Sequence, residues 1–331
     1  MALCLLGMKS MPENLYLVAS VDQHFEKNDL NTIAQQGRLW IVESSKALPE
    51  HSYRKITGRE KSYFFESSGD DKKPLVESYL RLFEPARVRE DIISLSALRT
   101  REVGSDENYQ LTLDLMKKIK KLGVETSLQC FSDKVCNVVA VKKGFTKKKI
   151  IVVAHFDSVG EEFAGADDNA SGVAGILEMI RVLKTYKNQH DLIFLLTNAE
   201  ELGLYGSQKF VSDLKNKEEI QVALNLDMIA YNHDGVIEFE TSPEFEQYAE
   251  VLGRLTKTYT NLIPRLTIGA WGSDHVSFLN AGIPAVASIE HWETKNPCYH
   301  QACDTIDALN FDYLENVIKV NLSAILFYDQ R

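Results

Sequence analysis

From about residue 87 onward, the chain alternates short apolar segments with segments whose apolar residues recur at helical spacing. Residues 150–154 and 192–196 are continuously apolar, as is typical of strands covered on both faces of a parallel sheet. Further strands are predicted at 138–141, 222–226 and 284–289. Such alternation predicts an α/β fold with a mainly parallel central sheet sandwiched between helices.

Two helices are specified by their ends as well as by their periodicity. Residues 109–122 carry apolar side chains at helical spacing and stop at Gly123, a natural helix terminator. Ser171 is placed to cap a second helix, whose apolar face includes Ile176, Ile180 and Leu183. Both helices fit as crossover connections beside the predicted sheet.

The first 85 residues differ in texture, with short apolar runs at 15–19 and 39–42 separated by polar turns. We interpret residues 1–85 as a small amino-terminal α+β unit and 86–331 as the main domain. Glu84-Pro85 is a natural boundary, because the residue before proline resists helical geometry.

Charge and hydropathy exclude two classes of partner. The 331-residue chain has a net charge of −10 and no long Lys/Arg stripe, which argues against nucleic acid. No apolar stretch approaches the eighteen or so residues needed to span a bilayer. No heptad or isolated apolar helix suggests a dedicated interface, so we expect a monomer.

The five cysteines fall as a lone Cys4 and two close pairs, Cys130/Cys136 and Cys298/Cys303. Each pair could close a short disulfide-bonded loop, and buried free thiols are the alternative. The sequence leaves this choice open.

Polar side chains follow the predicted strands at the positions where ligands bind in α/β sheets. Four strand or helix ends present a carboxylate or an imidazole toward one rim, through His155, Asp157, Asp167, Asp168, Glu200, Glu201 and Asp227. So many negative charges together are costly unless cations compensate them. A divalent metal site follows, and imidazole and carboxylate ligands without thiolates suit zinc, with manganese or cobalt tolerated. Asp157 is expected to hydrogen-bond the far nitrogen of the His155 imidazole.

Four segments in order carry a family resemblance: Gly-Ala-Asp-Asp-Asn-Ala-Ser-Gly at 165–172, Asn-Ala-Glu-Glu-Leu-Gly at 198–203, Leu-Asp-Met at 226–228 and Gly-Ser-Asp-His at 272–275. As a set they resemble the zinc aminopeptidase and glutamate carboxypeptidase II family of the MH clan, in particular bacterial leucyl aminopeptidases. The resemblance covers roughly residues 87–331.

The resemblance implies a two-zinc centre. Each ion would have its own pair of ligands and one carboxylate would bridge them, with His155 and Asp227 on one ion, Glu201 and His300 on the other, and Asp167 as the bridge. His275 and His291 compete with His300 for the fifth position. Glu200 would be the general base acting on a water bridged by the two zinc ions. The peptide bond after the bridging aspartate, here Asp167-Asp168, is expected to be cis.

The implied activity is that of an aminopeptidase, which removes the amino-terminal residue of peptides that have a free amino terminus. An apolar residue such as leucine is the expected first residue. Family members that are exported often carry an amino-terminal propeptide, so residues 1–85 are expected to be a propeptide-like or accessory unit. We expect export to the periplasm or the medium, with a cytoplasmic location as the alternative.

One departure from the family pattern concerns a tyrosine that some members place shortly before the Ser-Asp-His segment. Residues 268–272 contain no tyrosine, and Trp271 there could line the cleft or pack in the core. The alternatives that remain are a related carboxypeptidase, a glutaminyl cyclase with one zinc, and a non-catalytic binding homologue.

Overall fold

The computed structural model describes residues 15–18, 30–36, 39–44, 54–55, 73–160, 162–163, 165–269 and 272–331. In the amino-terminal part, four strands form an antiparallel sheet in the order β2-β3-β1-β4. Their bounds are β1 Leu15–Val18, β2 Leu30–Gln36, β3 Leu39–Ser44 and β4 Arg54–Lys55. Strands β1 and β3 coincide with the two apolar runs singled out in the sequence.

The main domain is built on an eight-stranded sheet in the order β11-β10-β12-β9-β7-β8-β6-β5. Its strands are β5 Glu125–Ser132, β6 Val135–Lys142, β7 Lys149–His155, β8 Asp191–Thr197, β9 Ile220–Leu226, β10 Val236–Thr241, β11 Ile263–Ile268 and β12 Ala285–Glu290. The central strands β12, β9, β7 and β8 are mutually parallel. Their carboxyl ends therefore meet at one rim, which is where a ligand site is expected.

Helices pack on both faces of this sheet, and each face carries its own apolar cluster. The described helices are α1 Pro74–Leu80, α2 Pro85–Ser96, α3 Asp106–Lys121, α4 Gly172–Val182, α5 Tyr205–Asp213, α6 Glu246–Tyr259, α7 His275–Asn280 and α8 Phe311–Asp329. The larger core lies under α4 and α8, where Val173, Ile176 and Ile318 are almost fully buried. The predicted α/β architecture, a largely parallel sheet between helices, is confirmed.

The strands and helices predicted for the main domain are present, but other elements were not predicted and one predicted helix cap is wrong. Strands β5, β10 and β11 were not anticipated, because polar residues interrupt their apolar pattern. Ser171 does not cap α4: its hydroxyl donates to the Asp167 carbonyl oxygen at 2.7 Å. Asn169 performs that function, since its side-chain oxygen accepts the Gly172 N–H at 2.9 Å.

Helix α1 lies inside the segment assigned to the amino-terminal unit, yet it contacts α8 of the main domain. The Lys73 N–H also donates to the Tyr259 hydroxyl at 2.9 Å. The division at residue 85 remains a prediction. No helix within the described ranges is both long and apolar enough to cross a membrane.

Both close cysteine pairs are disulfide-bonded in the structure. Cys130–Cys136 joins neighbouring strands β5 and β6, and Cys298–Cys303 closes the loop that carries His300. The second bridge therefore connects residues on both sides of a candidate metal ligand.

Candidate active site

His155 is the last residue of β7 and is almost fully buried. Its Nδ1 lies 3.2 Å from the Asp157 carbonyl oxygen, so Nδ1–H donates to that oxygen. The lone pair of Nε2 then faces two carboxylate oxygens, Asp168 Oδ1 at 3.2 Å and Asp227 Oδ1 at 3.3 Å. A lone pair directed at anionic oxygens is unfavourable unless a cation or a proton lies between them.

Asp168, and not Asp167, lies at the centre of the site. One oxygen of Asp168 approaches His155, while Oδ2 lies 3.2 Å from His300 Nε2. Asp167 points elsewhere: its Oδ1 accepts the Ala230 N–H at 2.8 Å. The geometry therefore favours Asp168 over Asp167, the residue expected from the resemblance, as the bridging residue, and Asp167 belongs to none of the groups with converging ligand atoms. The cis peptide bond, expected after Asp167, is instead the Asp168–Asn169 bond.

The backbone explains why the second aspartate reaches the centre. Asp168 and Asn169 have non-helical dihedral angles inside the turn Ala166–Ser171, so the side chains of 167 and 168 leave the chain in different directions. Composition and spacing cannot decide which of two adjacent, identical residues in a turn points into the site.

Two buried groups hold this turn in place. The Asp304 carboxylate accepts the N–H of Asp167 at 3.0 Å and that of Asp168 at 3.0 Å. The Arg101 guanidinium donates to the Phe156 and Gly165 carbonyl oxygens, both at 2.9 Å. These two positioning residues were missed in the sequence, where a lone Arg101 gives no signal and Asp304 served only as context for His300.

Glu201 and His300 meet on the other side of Asp168. His300 Nε2 lies 3.0 Å from Glu201 Oε2 and 3.2 Å from Asp168 Oδ2. Glu201 Oε1 is buried and accepts no hydrogen bond within the described part of the chain. Three groups of side chains consequently have ligand atoms within 4.8 Å of one another: His155, Asp168 and Asp227; His155, Glu200 and Glu201; and Asp168, Glu201 and His300. Neither His275 nor His291 belongs to any of them.

Asp157 positions the two glutamates rather than the imidazole. Its carboxylate oxygens accept the Glu200 N–H at 3.2 Å and the Glu201 N–H at 3.1 Å. Its Oδ1 is 3.6 Å from His155 Nδ1, beyond hydrogen-bond distance. The contact between His155 and residue 157 expected from the sequence is present, but it is made by the backbone carbonyl group.

Charge crowding perturbs the pKa values throughout the cluster. Burial raises the pKa of Glu201 to about 7, and the charge of Asp168 adds to the effect. Burial also raises the pKa of Glu200 well above its usual value, although His155 opposes the shift. For His300, burial lowers the pKa, but the Asp168 and Glu201 carboxylates outweigh it and raise the pKa to about 10. Such mutual perturbation is characteristic of functional sites.

Three non-glycine residues with positive φ occur at or beside the candidate ligands. Ala199 has φ 62°, Met228 has φ 49° and His300 has φ 56°. Ala199 directly precedes Glu200, Met228 directly follows Asp227, and His300 is itself a candidate ligand. Left-handed backbone at non-glycine residues is uncommon and often marks sites where side-chain placement outweighs local strain.

Tyr299 is an additional residue at the site that the sequence analysis missed. Its ring stacks on the His300 imidazole with centroids 3.8 Å apart. Burial raises its pKa well above the usual value, and the charges of Asp168 and Glu201 act in the same direction. The side chain thus remains a neutral phenol that can donate a hydrogen bond. Its position immediately before His300 was the available signal, whereas Trp271, which was considered instead, lies outside the described residues.

Comparison with known proteins gives a consistent class. The family model "Peptidase family M28" matches residues 137–325, more than half of the chain. A probable leucine aminopeptidase of Trichophyton verrucosum is 28% identical over 275 residues, covering 75% of this chain and 74% of the relative. These findings place the chain among peptide hydrolases.

Solved structures show the same fold. LapB of Legionella pneumophila superposes with a TM-score of 0.73 at 20% identity, covering 95% of this chain and 98% of LapB. A zinc aminopeptidase of Bacillus subtilis gives a TM-score of 0.67 at 18% identity, covering 74% of this chain and 95% of the other. On the strength of the family match, the chain belongs to peptidase family M28.

Proposed function

We propose that this protein is an aminopeptidase that uses two zinc ions to hydrolyse the amino-terminal peptide bond. The observation that carries the proposal is the position of Asp168, whose two carboxylate oxygens face two separate imidazoles, each accompanied by a second carboxylate. This is the arrangement expected of a bridging ligand. His155 and Asp227 would hold one ion, and Glu201 and His300 the other.

The residues fit divalent cations on three counts. The donor set of imidazoles and carboxylates suits zinc. The tautomer of His155 presents a lone pair, since Nδ1–H is engaged by the Asp157 carbonyl oxygen. A buried oxygen, Glu201 Oε1, lacks a hydrogen-bond donor among the described residues, and a cation would satisfy it. The zinc aminopeptidase of Bacillus subtilis named above supports the choice of metal.

When bound, the two ions would lower the pKa of a water molecule and polarise the scissile carbonyl group. Glu200 lies beside His155 and Glu201, and its backbone is held by Asp157. We assign it the role of general base, which takes the proton of the attacking water and delivers it to the leaving amine. Glu200 can act as the base because the neighbouring Glu201, and not Glu200, is the proposed metal ligand.

Tyr299 would supply the hydrogen bond to the oxyanion that develops on the carbonyl oxygen. Its phenol is kept protonated by burial and by the surrounding carboxylates, and stacking on His300 fixes its ring next to the candidate ligands. A donor placed in advance at the point where charge develops stabilises the transition state.

A free amino terminus is the natural recognition element for this cluster. The site is strongly acidic, with Glu200, Glu201, Asp168 and Asp227 gathered at one rim, and an α-amine approaching Glu201 would be attracted to it. The relative named as a probable leucine aminopeptidase supports removal of single amino-terminal residues. The accessory role of residues 1–85 is part of the same proposal.

The test combines elemental analysis with hydrolysis of aminoacyl anilides. We expect about two zinc ions per chain, hydrolysis of unblocked substrates, and no hydrolysis of N-acetylated ones. Glu200→Gln should retain both ions and lose turnover. One tightly bound zinc with cyclisation of amino-terminal glutamine would instead indicate a glutaminyl cyclase, release of carboxy-terminal residues a carboxypeptidase, and an inert, metal-free protein a binding homologue.

A further inference from the structure

Glu240 lies on the same face of the sheet as the candidate metal centre. On β12, the residue paired with Glu240 is Ala287. Ala287 is paired with Asn225 on β9, and Asn225 with Val153 on β7. Cross-strand partners point to the same face, and side chains alternate along a strand. Since His155 lies two positions after Val153 on β7, Glu240 and His155 share that face.

The carboxylate of Glu240 is buried, and its hydrogen-bonding capacity is unused by the residues that the structure describes. Its side chain is only 10% exposed, and Oε2 lies 3.8 Å from His275 Nε2, beyond hydrogen-bond distance. Across the described ranges no residue donates a hydrogen bond to it. Burial raises its pKa to about 8, and the charges of Glu238 and Asp227 act in the same direction. A buried carboxyl group without a partner is costly and indicates a function.

Glu238, two positions earlier on the same strand face, provides the contrast. Its carboxylate accepts hydrogen bonds from the Thr267 hydroxyl at 2.5 Å and the Trp292 N–H at 2.7 Å. Arg265 Nε lies 3.6 Å away and balances its charge. Glu238 is therefore satisfied within the protein, whereas Glu240 is not.

The distance between Glu240 and the centre matches the length of an extended side chain. Strand β10 is two strands from β9, or roughly 10 Å. The intervening position on β12 at the level of Glu240 is Ala287, which carries only a methyl group. The next position at this level, on β9, is Asn225, whose amide group donates to the Ser273 hydroxyl at 2.8 Å. A substrate side chain that enters from the centre along this face would meet the Glu240 carboxylate.

We propose that Glu240 forms the base of the pocket for the first side chain of the substrate and selects lysine or arginine at the amino terminus. This inference rests on the proposed aminopeptidase function, and it replaces the apolar first residue expected from the family resemblance. The substrate ammonium or guanidinium group would give Glu240 a permanently charged partner, whereas the His275 imidazole, 3.8 Å away, is charged only when protonated.

The local charge balance favours a cation over a neutral occupant. Among the described residues here, acidic groups outnumber the basic ones that pair with them, since Arg265 is shared among Glu238, Glu293 and His291. The nearby His291 is itself engaged by Asp234 at 2.6 Å. The acidic groups therefore remain in excess after these internal pairs are counted. Glu240 is one of them, and it lies on the face of the sheet that it shares with the candidate metal centre.

The experiment compares lysyl and norleucyl anilides with the zinc-loaded full-length protein. Norleucine has the same unbranched methylene stem as lysine without the ammonium group, so the ratio of the two kcat/KM values isolates the charge. For the unmodified protein we expect lysine to be favoured by about 10- to 100-fold, the range for a hydrogen bond to a charged group.

Glu240→Gln keeps the shape of the side chain and removes its charge. It should bring this ratio to within about threefold of one, chiefly because kcat/KM for the lysyl anilide falls. Glu238→Gln is the matched control, on the same strand and face. It should not lower the ratio, because Glu238 is hydrogen-bonded within the protein and its charge raises the pKa of Glu240.

Three results would overturn the inference. If the unmodified protein prefers norleucine, the pocket is apolar and the aminopeptidase proposal still stands. If Glu240→Gln lowers kcat/KM equally for the lysyl and the norleucyl anilide, Glu240 has a structural role only. If the zinc-loaded protein hydrolyses no aminoacyl anilide, the aminopeptidase proposal fails as well.

Discussion

Asp304 and Asp168 are joined by a hydrogen bond in which the Asp168 backbone N–H donates to Asp304 Oδ2 at 3.0 Å. The two residues lie 136 positions apart. Asp304 thereby connects the loop that carries His300 to the turn that carries the central carboxylate, and it fixes the two sides of the candidate centre relative to each other.

Removing this connection should weaken both metal binding and folding. Asp304→Ala would leave the buried N–H groups of Asp167 and Asp168 without acceptors, at a cost of about 1–3 kcal/mol for each. We expect a lower midpoint in urea unfolding and about 10- to 100-fold weaker zinc binding, as for other residues that orient metal ligands. Unchanged zinc affinity in a folded variant would contradict the positioning role.

The two adjacent aspartates should behave differently when each is replaced by alanine. Asp168→Ala removes the proposed bridging carboxylate and should lower kcat/KM by about 1000-fold or more, equivalent to about 4 kcal/mol, with loss of bound zinc. Asp167→Ala, the matched control, should affect stability more than metal content, because its carboxylate accepts the Ala230 N–H. The reverse pattern in elemental analysis would restore Asp167 as the ligand.

Replacing Tyr299 by phenylalanine should separate oxyanion stabilisation from metal binding. The ring that stacks on His300 is retained, but the donor is lost, so kcat should fall about 100- to 1000-fold with KM little changed. Zinc content should remain that of the unmodified protein. A higher KM at constant kcat would instead assign Tyr299 to substrate binding.

The two disulfides offer a matched comparison of local and general effects. Cys298 and Cys303 flank Tyr299 and His300, so replacing both cysteines by serine should reduce kcat and lower stability by about 2 kcal/mol, as estimated for a small closed loop. The Cys130/Cys136 double replacement should lower stability by a similar amount and leave kcat unchanged. Equal effects on kcat would mean that the bridge near His300 has no specific role.

The metal-free protein should become less stable as pH rises from about 5 to 8. Burial raises the pKa of Glu201 from 4.5 to about 7 in the folded protein, so the folded state binds this proton more tightly than the unfolded one. The resulting stability is complete below the unfolded pKa and is lost as pH rises through about 7.

Bound zinc should reverse this trend, because metal ligands are held deprotonated. The stabilisation by zinc, measured as the difference in Tm between zinc-loaded and chelated protein, should therefore grow between pH 5 and 8. Glu201→Gln should flatten the pH dependence of the chelated form. A difference in Tm that is constant over this range would show that Glu201 does not couple metal binding to protonation.

Local sequence was sufficient to predict the central strands of the sheet and most of the polar residues at its rim. The continuous apolar runs that became β7 and β8 are buried on both faces, so their hydrophobic pattern was unambiguous. The polar residues that directly follow them, with Glu200 and Glu201 after β8, inherit their positions from the parallel arrangement of the strands.

Tertiary structure decided which of two adjacent aspartates enters the centre and what the unpredicted strands contribute. Asp167 and Asp168 are chemically identical, and only a backbone turn held by Asp304 and Arg101 gives their side chains different surroundings. Likewise, β10 reads as polar because Glu238 and Glu240 interrupt its apolar residues. A charge that looks like surface in the sequence became buried once β11 and β12 paired with β10 on either side, since burial is set by neighbours distant along the chain.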